Sequence, residues 1–256
     1  MPLLMLILAC SDPDPTLSEQ PLTDTGEDTA SDTADTGDTG DTALALPSLA
    51  DILDHSVNQA SATLDTDPNT SGAALWVQTQ EGVNDAGGFN GAGIGNKAIA
   101  GIPGFDGLAL SELGTVHMSA RHASGAQELY LNLLLDMACD GEDVRILVVT
   151  DHGDAPPDDQ GYSEVNITSE APIWRAVGGI DDILPGHLDP EPGSLTPVLS
   201  AYPAACLRDV DTQDGGMPAN QVTRSVLWVL GDSSSNSANS WYIRALEVAG
   251  VRFEAP

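Results

Sequence analysis

LYLNLLLDMACDGEDVRILVV, residues 129–149, decides the fold. Leu129, Leu131, Leu133, Leu135 and Met137 alternate with other residues in its first half, and Val144, Ile146 and Val148 resume that period after CDGE. Successive side chains of a strand point to opposite faces, so each half reads as a strand with one apolar face. A short Asp-Gly turn between two such runs is the strongest local signal for an antiparallel hairpin.

The same alternation recurs along the chain, bounded by Gly, Pro, Asn and Asp clusters. AALWVQTQ (73–80), GTVHMSARH (114–122), SEVNIT (163–168), PIWRAVGG (172–179), QVTRSVLWVL (221–230) and WYIRALEVAG (241–250) read as strands. In GTVHMSARH, Val116, Met118 and Ala120 share one face and His117, Ser119 and Arg121 the other. Trp76, Trp174, Trp228 and Trp241 all fall on expected strands, which makes most of them core. GVNDAGGFNGAGIGNKAIAGIPG (82–104) has too little bulk for a core element and reads as a long surface loop. Short helices are expected in SLADILDHS (48–56) and in GSLTPVLSAYPAAC (193–206), the latter capped by Ser194 with Leu195, Val198, Leu199 and Tyr202 inward. Many short strands without regular intervening helices imply an all-β antiparallel sandwich with one or two short helices, over residues 47–256.

The chain begins MPLLMLILAC (1–10), an apolar run too short to span a bilayer, which takes roughly 20 residues. It resembles a bacterial lipoprotein signal, with Ile7, Leu8 and Ala9 as the lipobox and Cys10 as the residue that receives lipid. The run is short for a signal and lacks a basic flank, as expected if a few residues precede Met1. Ser11 follows the cysteine in place of the Asp that marks inner-membrane retention, so the resemblance implies an outer-membrane or cell-surface address. Residues 11–46 carry ten acids, no base and repeated Asp-Thr-Gly. Such a segment cannot bury enough apolar surface to offset the cost of ordering, and is expected to be a disordered tether.

Across the chain 39 acids face 8 bases, for a net charge of −31. The folded part alone holds 29 of the acids. Nucleic acid and anionic lipid surfaces are excluded as partners, since both would be repelled. The membrane is reached through the lipid anchor instead.

VLWVLGDSSSNSANSWYIRALEVAGVRFEAP (226–256) and the opening hairpin are similar to strand pairs of extracellular bacterial jelly-roll modules, many of which bind carbohydrate. The resemblance implies a jelly-roll-like sandwich with a non-catalytic binding or adhesion role at the cell surface, glycan being the leading ligand class. Arg244 stands where that pattern often has Asp, so no site resting on that Asp carries over. A sugar site wants aromatic planes beside amides, which points to Trp241 and Tyr242 with Asn236 and Asn239, and to Trp76 and Tyr162 as further aromatics.

Cys139 and Cys206 form an even pair once Cys10 is lipidated, and export permits a disulfide between them; two separate buried thiols are the alternative. The bond would draw Asp136, Asp140, Glu142 and Asp143 toward Asp209, Asp211 and Asp214, a set of hard oxygen ligands suited to calcium. RILVVTDHGD (145–154) resembles the strand-end Asp-His of the alkaline phosphatase and sulfatase superfamily, which would make Asp151, His152 and His187 metal ligands. That chemistry also needs an upstream nucleophile, for which the sequence shows no motif, and a parallel sheet, whose crossover the tight turn before the strand is too short to make. GDSSS (231–235) resembles the Gly-Asp-Ser block of a hydrolase family, but it nearly closes the chain where that block opens the enzyme. Beside glycan binding stand two other readings: a structural envelope lipoprotein, and a metal-dependent hydrolase.

Overall fold

A computed structural model describes residues 47–56, 59–81, 97–142, 144–149, 156–170, 173–177, 194–211, 222–231 and 237–256, with the backbone alone at 173–177, 211 and 222. Ile7, Leu8, Ala9, Cys10, the tether, Asp143, Asp151, His152, His187, Asp214 and Asn236 lie outside these residues, as do the side chains of Trp174 and Asp211.

The hairpin at 129–149 forms as expected. Strand β6 (Leu129–Asp136) pairs with β7 (Val144–Val149), Leu131 opposite Val149 and Asp136 opposite Val144. The strands order themselves into two antiparallel sheets. The first runs β1 (Leu53–Asp54), β4 (Ala98–Ile102), β13 (Val226–Leu230), β6, β7, β9 (Ile173–Val177), with β10 (Cys206–Leu207) pairing the end of β6. The second runs β2 (Ser61–Thr66), β3 (Ala73–Thr79), β14 (Asn239–Val248), β5 (Val116–Ser124), β8 (Ser163–Ile167), with β15 (Val251–Glu254) on the far half of β14. A small ribbon pairs β11 (Val210–Asp211) with β12 (Val222–Thr223).

The inner faces of the two sheets make one core. Leu129, Leu131, Leu133 and Leu135 of β6 meet Trp228 of β13, and the second sheet supplies Leu75, Val77, Val116, Met118, Ala120, Ile243 and Leu246. Each fully buried aliphatic side chain contributes about 1.5–3 kcal/mol, so the period-two pattern is also the main stabilising term. Trp228 and Trp241 belong to this core, whereas Trp76 packs on the outer face of the second sheet.

Two expectations are corrected. Ala98–Ile102, expected as loop, is an inner strand of the first sheet with every residue buried. A strand covered on both faces does not alternate, and its small residues serve a close contact: a Cβ on Gly101 would fall 2.3 Å from the His55 ring. The segment at 48–56 holds only a single 3₁₀ turn, Leu49–Asp51, whose Ser48 and Asp51 cap each other's backbone before the chain enters β1. The other helix is present as α1 (Leu195–Ala201), with Leu195 and Val198 buried and Leu199 and Tyr202 against the core. Ser194 stands at its N-cap without a side-chain hydrogen bond.

Candidate binding pocket at Trp241

The two cysteines meet. Cys139 and Cys206 are disulfide-bonded with Cα atoms 5.3 Å apart, and the bond fastens β10 to the turn after β6. The carboxylates around it are engaged locally. Asp136, fully buried, accepts from the amides of Ala138 (3.2 Å) and Gly141 (2.5 Å). Burial pushes its carboxyl up, but the amides of Gly141, Asp140, Ala138 and Cys139 outweigh that and hold it below its ordinary value. Asp140 accepts from the Glu142 amide. Asp209 turns to Arg224 Nη1 (2.7 Å) and the Ser225 amide (2.7 Å). Among the described residues no group of three or more His, Cys, Asp or Glu is arranged to hold a metal ion.

The expected sugar site divides in two, because Trp241 and Tyr242 are neighbours on a strand and face opposite ways. Trp241 sits across from Val77 and His122 on the inner side of the second sheet, while Tyr242 sits across from Trp76 and Arg121 on the outer side.

On the inner side, where the chain crosses from β5 to β6, a cavity of about 300 Å³ opens. Its lining comprises Trp241, His122, Gln127, Glu128, Pro157 and Ser163, completed by Ala126, Gly161 and Val165. Trp241 is only 9% exposed, so it lines a recess and does not stand out as a platform. Its Nε1 donates to the Gln127 carbonyl (3.0 Å), and the His122 ring leans on it at 4.9 Å.

Two hydrogen-bonded frames shape this recess. In the first, Asn239 is buried, and its Oδ1 accepts from the amides of Ala126 (2.9 Å) and Gln127 (3.0 Å). Its Nδ2 donates to Gln127 Oε1 (3.0 Å) and to the Ser237 carbonyl (3.0 Å). Asn239 therefore builds the wall at 125–127 and does not face the cavity as a ligand donor. In the second frame, Asp158 Oδ1 accepts from the amides of Gln160 (2.9 Å) and Tyr162 (2.8 Å), which closes the turn carrying Gly161. Gly161 has φ +84° and lies against the methylenes of Arg121, where a Cβ would come to 3.2 Å.

The outer side of the second sheet is an aromatic and charged network. Trp76 and Tyr242 stack with centroids 6.1 Å apart, Arg121 lies 4.9 Å over Tyr242, and Arg244 lies 4.4 Å over Tyr162. Asp67, fully buried, receives two hydrogen bonds from the Arg121 guanidinium, one from Tyr162 Oη (2.7 Å) and one from the Asn69 amide (2.9 Å). Burial alone would raise the Asp67 carboxyl, but these bonds and the Arg121 charge hold it below its ordinary value. Burial, and then the bond to Asp67, push the Tyr162 phenol well above its own. Arg244 pairs with Asp158 (2.9 Å) and Glu164 (3.1 Å), and His117 Nε2 lies 2.7 Å from Glu164. The cations of this face are matched by carboxylates.

Sequence patterning named Trp241 but missed His122, Gln127, Glu128 and Ser163. His122 continues the alternation of β5 and could have been found from it; the others come together only through the crossing of the sheets. No protein-family model matches this chain and no curated protein matches it, so the pocket is read from its own geometry.

Proposed function

We propose that this protein is an exported, lipid-anchored, non-catalytic binding module of the bacterial cell surface, of jelly-roll type, and that it recognises glycan in the pocket at Trp241. The observation that carries the reading is the recess of about 300 Å³ with an indole and an imidazole on one wall and polar side chains around them. That volume is near the lower end for small-molecule sites, about 300–1,000 Å³, and suits one or two sugar rings. Apolar ring faces beside a few fixed polar groups are the chemistry of a sugar, which has both C–H faces and hydroxyls.

The test is glycan-array binding followed by calorimetry on the wild type, His122→Ala and Trp241→Phe. Binding is expected in the wild type and at least about tenfold weaker in His122→Ala, whose side chain is exposed and whose loss leaves the core intact. A wild type that binds no glycan, or a His122→Ala variant that binds as well, overturns the reading. The anchor rests on Cys10 alone: fatty-acid labelling should be lost in Cys10→Ser, and labelling that persists would overturn that part.

A calcium ion is a separate proposal, resting on Asp143, Asp211 and Asp214 in addition to Asp136, Asp140 and Asp209. The hydrolase reading draws on Asp151, His152 and His187. The strand leading to them, β7, is antiparallel to β6 and joined to it by the hairpin, and no observation among the described residues favours that reading over binding.

A further inference from the structure

We infer that the pocket at Trp241 selects sugars that carry a free amino group. The inference rests on the proposed glycan site and names its ligand class.

Among the described residues the lining includes one carboxylate, Glu128, and one imidazole, His122, and neither Lys nor Arg. Two arginines of the second sheet are on its outer side and matched there: Arg121 lies on Asp67, and Arg244 on Asp158 and Glu164. Glu128, by contrast, is exposed, and among the described residues no hydrogen bond or ion pair engages its carboxylate.

The remaining polar atoms of the wall are also informative. The indole N–H of Trp241 is taken by the Gln127 carbonyl, and Gln127 Oε1 is taken by Asn239. The recess thus presents an unengaged acceptor and an aromatic ring, and among the described residues it offers neither Lys nor Arg to an anion. An ammonium group suits both features, since it can donate to the carboxylate and is attracted by the quadrupole of an indole. Uronate and other anionic sugars meet the opposite condition, in a domain whose 29 acids face 8 bases.

Calorimetry near neutral pH with a glucosamine disaccharide, its N-acetylated counterpart and a galacturonate disaccharide tests this. Disaccharides are chosen because any long polycation would adhere to so acidic a surface. The free amine is expected to bind about tenfold tighter than the N-acetylated sugar, and the uronate not at all. Glu128→Gln should abolish the preference for the amine, with the unfolding midpoint unchanged because the side chain is exposed. Glu112→Gln, which removes an exposed acid outside the pocket, should keep the preference. Equal binding of the amine and the N-acetylated sugar, tighter uronate binding, or equal losses in the two Glu variants overturns the amine selectivity while the glycan reading stands. If no sugar binds, the glycan reading falls first and this inference with it.

Discussion

Asn239 and Gly125 meet so closely that a Cβ on the glycine would lie 2.0 Å from Asn239 Oδ1. Gly125 also has φ +96°, a conformation that L side chains rarely adopt, so space and backbone both demand glycine there. The contact lets one buried amide side chain take the place of secondary structure at the crossing between sheets. Asn239→Ala leaves the amides of Ala126 and Gln127 without their acceptor, at about 1–3 kcal/mol for each group that stays dry. Urea unfolding should show a loss of about 3 kcal/mol, with sugar binding weakened in step. A loss below about 1 kcal/mol would mean that water replaces the side chain and that Asn239 does not build the wall.

Asp67 gives the fold a defined response to acid. Its folded-state carboxyl titrates below the unfolded value of about 3.9, so the unfolded chain binds the proton more readily. The stabilisation is therefore complete above that pH and is lost as pH falls from there through the folded-state value. Asp67→Asn removes this acid limb and strands the Arg121 guanidinium, which is only 8% exposed, at a cost of about 3–5 kcal/mol near neutral pH. Unfolding midpoints across the acid range for both proteins check this; parallel curves would show that Asp67 does not contribute to the acid limb.

Tyr162 mirrors this at the alkaline end. Its phenol is raised above the unfolded value of about 10, so its contribution is complete below that pH and is lost as pH rises toward the folded-state value. Tyr162→Phe should flatten that alkaline decline while the turn held by Asp158 persists. A wild type and variant that decline together would assign the alkaline loss to other groups.

The disulfide closes a span of 67 residues between Cys139 and Cys206. In the chain-entropy model such a loop adds about 4 kcal/mol. Cys139→Ala with Cys206→Ala should lower stability by about that amount under oxidising conditions, and reductant should destabilise the wild type alone. If reductant leaves the wild-type midpoint in place, the bond is not holding β10 against β6.

How far the sequence was legible follows from where each signal is stored. The β6–β7 hairpin was readable because its face pattern and its turn lie within a short run of chain. Strand β4 was not, since AIAGI is buried on both faces and its Gly101 answers to His55, a residue distant in sequence. Gly101→Ala should force the His55 ring aside and cost about 1–3 kcal/mol. Unchanged stability would show that the ring moves freely. The pocket had the same difficulty: only Trp241 announced itself, because Gln127 and Glu128 look like ordinary connecting residues until Asn239 folds them into a wall.

Trp241 and Tyr242 provide the sharpest test of which face binds. Sequence alone pairs them as one aromatic site, and strand geometry puts them on opposite sides of the sheet. Tyr242 is stacked on Trp76 and covered by Arg121, so its ring serves the outer network and not the recess. Tyr242→Ala is expected to lower stability by about 3–5 kcal/mol, in the range for deleting a buried aromatic, yet to leave sugar affinity within about twofold wherever the protein is folded. His122→Ala is expected to do the reverse, weakening binding with little change in stability. Calorimetry and urea unfolding on the two variants separate affinity from stability. Loss of affinity in folded Tyr242→Ala, with none in His122→Ala, would move the binding site to the Trp76 face of the sheet.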